Sequence, residues 1–201
     1  MTTSRIKIFI LLMAIMISAS VFMAGCSQQS TQDTGGGTDG ADSTAALEKI
    51  YTFYDKVQLG QTKAEVDTAL GVTAKEPMAD IFQYTDKNGN GVMIGLSSAF
   101  SQDGTSKFVF DKRVEGLEAY LIKLPDDKRI TAEQAQSITE GMTYEEVKAK
   151  LGGEGYELNS TQGFEGKPEI TRVWMKKGIS MLTVKFSGPD GTDTAKIIVD
   201  L

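Results

Sequence analysis

The sequence has no histidine, and its only cysteine is Cys26 among 201 residues. Without histidine the chain cannot build Ser-His-Asp or Cys-His catalytic groups, nor a zinc site with histidine ligands. A single cysteine cannot form a disulfide within one molecule, so the folded part must rely on its hydrophobic core. We therefore expect a protein that is not an enzyme and that carries no cofactor.

Two remaining kinds of site have little support in the sequence. Aspartate and glutamate are plentiful, but no pair stands in an apolar setting that would raise a carboxyl pKa for acid catalysis. Residues 86–91, Asp-Lys-Asn-Gly-Asn-Gly, match the first half of a calcium loop, yet its twelfth position is Ser97 rather than glutamate. The Asn-Gly pairs favour a hairpin turn, and we predict a turn and no metal site.

Basic residues are outnumbered, with 21 Lys and Arg against 27 Asp and Glu, for a formal charge of −6. Removing residues 1–25 takes away Arg5 and Lys7 and no acidic residue, which brings the charge to −8. Nucleic acid and anionic lipid surfaces are therefore poor partners for the chain as a whole.

The first 25 residues have the pattern of a secretory signal peptide. Arg5 and Lys7 precede the apolar run 8–17, and small residues lead into Cys26. The run Met-Ala-Gly-Cys at 23–26 resembles the lipobox of bacterial lipoproteins. That resemblance implies acylation of Cys26 and attachment to the extracytoplasmic face of the cell membrane. An uncleaved anchor helix is the alternative, but the run is short for a span of about 20 residues and lacks a basic stop-transfer cluster.

The composition then changes twice along the chain. Residues 26–43 hold the lipidated cysteine and a Gly-, Ser-, Thr- and Asp-rich stretch without large apolar side chains, which predicts a flexible tether. We assign residues 44–124 to a first module, and 125–201 to a linker followed by a second module.

The two modules are recognised by a repeated helix at a constant offset of 81 residues. Thr62 and Glu65 form a predicted capping box in the first copy, and Thr143 and Glu146 form it in the second. Gly71 and Gly152 end the two helices. A shorter helix precedes each copy, beginning near Ser43 or Thr44 in the first half and at Thr131 in the second.

Alternating apolar residues after each helix predict four antiparallel strands per module. In the second half these are residues 155–159, 169–175, 179–186 and 194–200. In the first half they are residues 79–85, 91–98, 106–111 and 114–123. The prediction is an α+β fold of two tandem αα-β4 modules, each with two helices on one face of its own four-stranded sheet.

Two copies of an apolar-x-x-Gly-x-Thr-x-x-x-Val-x-x-x-Leu-Gly motif, each followed by strands, resemble the tandem modules of the β-lactamase inhibitor protein family. They equally resemble the single-module small lipoproteins of outer-membrane assembly. The resemblance implies two sheets side by side with an open concave face. In the inhibitor family, loops between the strands carry an acidic or aromatic residue into an enzyme cleft, and Asp103 stands near the acidic position.

These observations favour a lipid-anchored, monomeric module that binds an unknown envelope or extracellular protein. The alternative function is inhibition of a secreted or envelope hydrolase. Candidate contact residues are Phe100 and Asp103 in the loop at 99–105, and Arg172 and Trp174, which strand alternation places on the open face. A register one residue different would make Trp174 a core residue, and that alternative stays open.

Overall fold

A computed structural model describes residues 39–163, 166–188 and 194–200. The predicted signal peptide, Cys26 and most of the predicted tether lie outside these ranges. Within them, no helix has the length and apolar character needed to cross a membrane. The first helix begins at Asp39 rather than near Ser43.

Five α-helices and two short 3₁₀ helices are present in the described chain. The α-helices are α1 Asp39–Tyr51, α2 Lys63–Leu70, α3 Leu117–Leu121, α4 Ala132–Gln136 and α5 Tyr144–Leu151. The 3₁₀ helices are Tyr54–Lys56 and Asp126–Lys128.

The repeated helices α2 and α5 have the predicted ends. The Thr62 hydroxyl accepts the Glu65 N–H at 3.4 Å, and the Glu65 carboxylate accepts the Thr62 N–H at 2.7 Å. In α5 the corresponding distances for Thr143 and Glu146 are 3.2 and 2.7 Å. Gly71 and Gly152 follow in the left-handed conformation, so both capping boxes and both stops are confirmed.

Eight antiparallel strands follow one another across a single sheet in the order β1 to β8. The strands are β1 Lys75–Met78, β2 Ile81–Thr85, β3 Gly91–Ser97, β4 Phe108–Glu115, β5 Tyr156–Gln162, β6 Pro168–Met175, β7 Met181–Ser187 and β8 Thr194–Asp200. The prediction of two separate sheets is wrong, because β4 pairs with β5 through Asp111–Thr161, Lys112–Ser160 and Arg113–Asn159. This pairing gives partners to backbone groups that two separate sheets would leave at their edges.

The strand predictions were right in the second half and partly wrong in the first. The strand β1 was missed, and the predicted strands at 106–111 and 114–123 are one strand, β4, followed by helix α3. Gly116 ends β4 with a φ of 89°. Leu117 and Leu121 lie four residues apart on the same side of α3, and both side chains are buried. The predicted turn at Asp86 is confirmed, since its carboxylate accepts the N–H groups of Asn88 and Asn90 inside the β2–β3 hairpin.

Cross-strand pairs define the two faces of the sheet. The helix face contains one paired row of side chains, Ile94, Lys112, Ser160, Ile170 and Phe186. The open face contains the neighbouring row, Met93, Arg113, Asn159, Thr171 and Lys185. Four of the five helix-face residues are buried; Ile94 belongs to the first hydrophobic core and Phe186 to the second.

The two ends of the strands are also distinct. We call the end with the β3–β4 connection, residues 98–107, the loop end. The opposite end, with residues 122–130 and the β6–β7 hairpin at 176–180, is the linker end. There Ile130 extends the sheet, since its N–H donates to the Met175 carbonyl at 2.9 Å and its carbonyl accepts the Lys177 N–H at 2.9 Å.

Candidate protein-binding surface

The centre of the open face is polar, and its charged groups are paired. Asn159 donates to Asp111 at 3.4 Å, Lys185 contacts Glu169 at 3.0 Å, and Gln83 donates to Glu115 at 2.8 Å. Burial raises the pKa of the Asp111 carboxyl, although the Asn159 hydrogen bond and nearby Arg113 and Lys185 act against this shift. The face therefore carries polar groups in fixed positions that satisfy one another, which corresponds to the polar rim of a protein interface rather than to its core.

The β3–β4 connection at the loop end is held in shape by its own hydrogen bonds. The Asp103 carboxylate accepts the Thr105 and Ser106 N–H groups at 2.9 and 2.8 Å, and it also accepts the Ser106 hydroxyl. These hydrogen bonds keep the pKa of Asp103 well below its ordinary value, with the Ser106 hydroxyl contributing most. Because its oxygens are engaged within the loop, Asp103 organises the turn beside Gly104.

Further contacts tie this connection to the neighbouring strands. At its base Lys107 forms a salt bridge with Asp80 at 2.7 Å, and Asp80 stands in the β1–β2 turn. At its start the Ser101 hydroxyl donates to the Ser98 carbonyl at 2.9 Å. The loop conformation is thus defined before any partner arrives, which lowers the entropy lost on binding.

An aromatic cluster lies where this loop meets the open face. Phe100 is 45% exposed, and together with the half-buried Phe108 and Phe110 it lines a shallow pocket of about 300 Å³. Gly95 allows this packing, because a Cβ at that position would lie 2.8 Å from the Phe110 ring. We call Phe100, Phe108 and Phe110 the aromatic cluster; its members are the kind of side chain that dominates binding energy in protein interfaces.

Sequence reasoning found only part of this cluster. Phe100 was a candidate contact residue, whereas Phe108 and Phe110 were not among the candidates. In fact Val109 is the buried residue, at 1% exposure, and the phenylalanines on either side of it are half-buried. The alternation Phe-Val-Phe indicates that the two phenylalanines and Val109 lie on opposite faces of the strand, but it does not indicate which face of the strand is covered.

Trp174 does not lie on the open face, so its predicted placement is wrong. It pairs with Leu182, which faces the helices, and only 4% of Trp174 is exposed. Its indole N–H donates to the Gly153 carbonyl at 3.0 Å. Val173 and Met175 point to the other side of β6 and are buried in the first core, so both sides of this strand are apolar. Alternation alone therefore could not identify the outward side chain.

Arg172 lies on the helix face with Trp174, and its predicted placement on the open face is also wrong. Its guanidinium lies 3.8 Å from the Glu157 carboxylate and 4.8 Å from the centre of the Tyr144 ring. Its side chain is 21% exposed. Arg172 and Trp174 line a groove of about 800 Å³ on the helix side, between α1 and the end of α5, which is separate from the aromatic cluster.

A buried polar network adjoins this groove through Glu157, which lines it. Tyr54 donates to Glu157 at 2.5 Å, and burial followed by the Glu157 charge raises the pKa of the Tyr54 hydroxyl far above its usual value. The Lys112 ammonium donates to the Val57 carbonyl at 2.8 Å and lies 3.9 Å from the centre of the Tyr54 ring. Burial lowers the pKa of Lys112. These groups satisfy one another, and this network joins the two halves of the chain.

Comparison with known proteins adds one positive finding. A family model described as "Beta-lactamase inhibitor (BLIP)" matches residues 51–176, which include both capped helices and strands β1 to β6. No curated protein matches the chain significantly.

Proposed function

Because the chain belongs to the β-lactamase inhibitor (BLIP) family, we propose that it is a non-enzymatic protein-binding module. The proposed contact surface is the aromatic cluster together with the adjoining open face of the sheet. Arg172 and Trp174 are left out of it, since they line the groove on the helix side.

The observation that carries the proposal is the presentation of Phe100. This side chain is 45% exposed on a loop whose conformation is held by Asp103 and by the Lys107–Asp80 salt bridge. Phe108 and Phe110 stand beside it. A rigid aromatic side chain above a shallow apolar pocket gains contact area at a low entropic cost.

A second candidate, inhibition of a secreted or envelope hydrolase, is favoured by the family itself. In this version of the function Phe100 enters the enzyme's cleft. Asp103 serves as the residue that shapes the loop, since its carboxylate oxygens are engaged by Ser106 and Thr105. The first enzymes to test for inhibition are the β-lactamases, the class that the family description names.

The location of the module is the second part of the proposal. We infer from the Met-Ala-Gly-Cys run that Cys26 is acylated and that the module works at the extracytoplasmic face of a bacterial membrane as a monomer. The repeated order of two helical segments followed by four strands supports a tandem origin of the two halves within the single sheet.

Cross-linking the full-length protein on cells, followed by identification of the captured protein, tests the binding proposal. Phe100→Ala is expected to weaken capture by about 2 kcal/mol, or roughly 30-fold in Kd, because it removes the exposed aromatic anchor. Thr68→Ala is the matched control, since Thr68 is exposed on α2, on the helix side of the sheet. Equal capture by wild type and Phe100→Ala would reject the aromatic cluster as the contact surface.

An activity assay separates the two candidate functions. Purified protein is added to a panel of β-lactamases and the inhibition constant is measured for wild type and Phe100→Ala. Inhibition that is lost in Phe100→Ala supports the inhibitor function. Capture of a partner on cells without inhibition of any hydrolase in the panel supports the docking module instead.

A further inference from the structure

Two isoleucines are exposed together at the linker end, far from the proposed contact surface. Ile179 stands in the β6–β7 hairpin and is 89% exposed, and Ile122 follows α3 and is 61% exposed. Neither residue has a role in the cores or in the aromatic cluster. Burying a side chain of this size in an apolar medium is favourable, so two such side chains at one end of the fold form a candidate contact surface.

One guanidinium holds the two isoleucine segments side by side. Arg129 donates to the Ile122 carbonyl at 2.7 Å and, through its other terminal nitrogen, to the Gly178 carbonyl. Its Nε donates to the Leu124 carbonyl at 2.8 Å. The two nitrogens share one planar carbon, so the Ile122 and Gly178 carbonyl oxygens lie within about 7 Å of each other. The segments that carry Ile122 and Ile179 therefore lie side by side, and we call these two exposed side chains the isoleucine patch.

The surroundings of the isoleucine patch are basic, in contrast to the chain as a whole. Segments 122–129 and 176–179 contain five basic residues, Lys123, Lys128, Arg129, Lys176 and Lys177. Their acidic neighbours are Asp126 and Asp127 in the linker, and Glu133, whose pKa is lowered in part by Lys177. The five basic and three acidic groups sum to a formal charge of +2, with Arg129 mostly buried and 3.8 Å from Asp126, on a protein whose formal charge is −6. The overall charge opposes binding to anionic lipid, but interaction with a surface is decided within about a Debye length of it.

We propose that the isoleucine patch docks on an anionic lipid surface, with Ile122 and Ile179 entering the interface and the lysines facing the headgroups. Exposed apolar side chains next to lysines are the combination that interfacial binding requires. Each lysine near an anionic surface strengthens binding by roughly fivefold. This inference rests on the proposed attachment of the protein to a membrane.

The length of chain before the fold permits this contact. Twelve residues lie between Cys26 and Asp39, and the thirteen Cα–Cα steps from one to the other reach at most about 45 Å. Leu47 and Tyr51 of α1 line the same groove as Lys128 and Lys177, so α1 extends to the linker end. A fold attached through α1 can therefore bring the isoleucine patch to the membrane that holds Cys26.

Docking at the linker end would also orient the binding surface. Phe100 lies at the loop end, and strands of seven or eight residues separate it from the β6–β7 hairpin by about 25 Å. With the isoleucine patch on the lipid, the aromatic cluster faces away from the membrane. The membrane contact would leave the contact surface accessible to a partner in the surrounding space.

Tryptophan quenching by brominated lipid tests the proposal on the full chain. The only native tryptophan, Trp174, is buried and out of reach of lipid, so the emission of the wild-type protein is subtracted and the remainder reports on Ile179→Trp. Met78→Trp is the matched control, because Met78 is 69% exposed and lies beside the β1–β2 turn at the loop end. Each protein is reconstituted into vesicles of phosphatidylcholine with phosphatidylglycerol, or of phosphatidylcholine alone, with and without bromine on the acyl chains.

On anionic vesicles, brominated lipid is expected to reduce the Ile179→Trp emission by about half or more, and to change the Met78→Trp emission by less than about a tenth. Adding Lys123→Glu and Lys177→Glu to Ile179→Trp should abolish most of the quenching, because both changes reverse charges that face the headgroups. Equal quenching of the two reporters, or none at position 179, would overturn the proposal. An absence of quenching at position 179 would assign the isoleucine patch to a protein partner instead of lipid.

The same samples distinguish this inference from the proposed anchoring. The intact mass of the reconstituted protein reports whether Cys26 carries acyl chains. An unmodified Cys26 with strong quenching at position 179 would reject the lipoprotein proposal and retain the docking surface. Acylated Cys26 without quenching would reject the docking surface and retain the anchor.

Discussion

Replacing Trp174 by alanine tests whether this side chain lies in the hydrophobic core on the helix face rather than on the open face. The indole is 4% exposed among Leu182 and the second core, its N–H donates to the Gly153 carbonyl, and Gly155 lies directly against the ring. Emptying a buried aromatic site costs about 3–5 kcal/mol of unfolding free energy. The lost hydrogen bond adds little, because Gly153 is half-buried and water can reach its carbonyl.

Urea unfolding followed by far-ultraviolet circular dichroism measures this loss without depending on the missing tryptophan's fluorescence. With an m-value of about 2 kcal/mol/M for a domain of this size, the midpoint should fall by about 1.5–2.5 M. Trp174→Phe keeps one aromatic ring and should lose only about 1–2 kcal/mol. Ile179→Ala, at a position that is 89% exposed, should change the midpoint little.

A partner-binding role for Trp174 predicts the opposite pattern. If Trp174→Ala left the urea midpoint within about 0.3 M of wild type and weakened partner capture by about 2 kcal/mol, the core placement would be wrong. We expect the folded fraction of Trp174→Ala to capture the partner as well as the wild type does. The loss at Phe100→Ala serves as the positive control for that assay.

Three further predictions concern packing, pH and the anchor. Gly155→Ala should destabilise the fold by more than about 2 kcal/mol, since its Cβ would lie 2.4 Å from the Trp174 ring at a φ of +67°. The control Gly152→Ala has a similar φ of +73° but open space around it, so it should cost only about 1 kcal/mol. Equal losses of unfolding free energy in the two variants would contradict the packing argument. Burial and Tyr120 raise the pKa of Tyr156 to about 12, so the folded state keeps a proton that the unfolded state loses above about pH 10. The unfolding free energy should therefore fall between pH 10 and 12, and Tyr156→Phe should reduce that slope; an unchanged slope would remove Tyr156 as a cause. Cys26→Ala should abolish metabolic labelling with a fatty acid, and equal labelling of both forms would end the lipoprotein proposal.

Local features of the fold could be predicted from the sequence because their causes lie within a few residues. The capping boxes at Thr62 and Thr143 need only a glutamate three residues later, and the stops at Gly71 and Gly152 need only a left-handed residue. The turn at Asp86 depends on Asn88 and Asn90. The loop that carries Phe100 was recognised for a similar reason, since its length and its Asp-Gly pair lie in one continuous segment.

Features that depend on distant partners were decided only by the tertiary structure. The sequence from Val114 to Lys123 alternates well enough for a strand, yet Gly116 turns the chain into α3. The union of the two halves into one sheet depends on β4 pairing with β5 between residues 46 to 50 positions apart, which no local pattern encodes. The face occupied by Trp174 depends on its pairing with Leu182, because both sides of β6 are apolar and are covered by different cores. Capping and turn chemistry are thus set by neighbours in the chain, whereas face, register and sheet continuity are set by which surfaces the folded chain brings together.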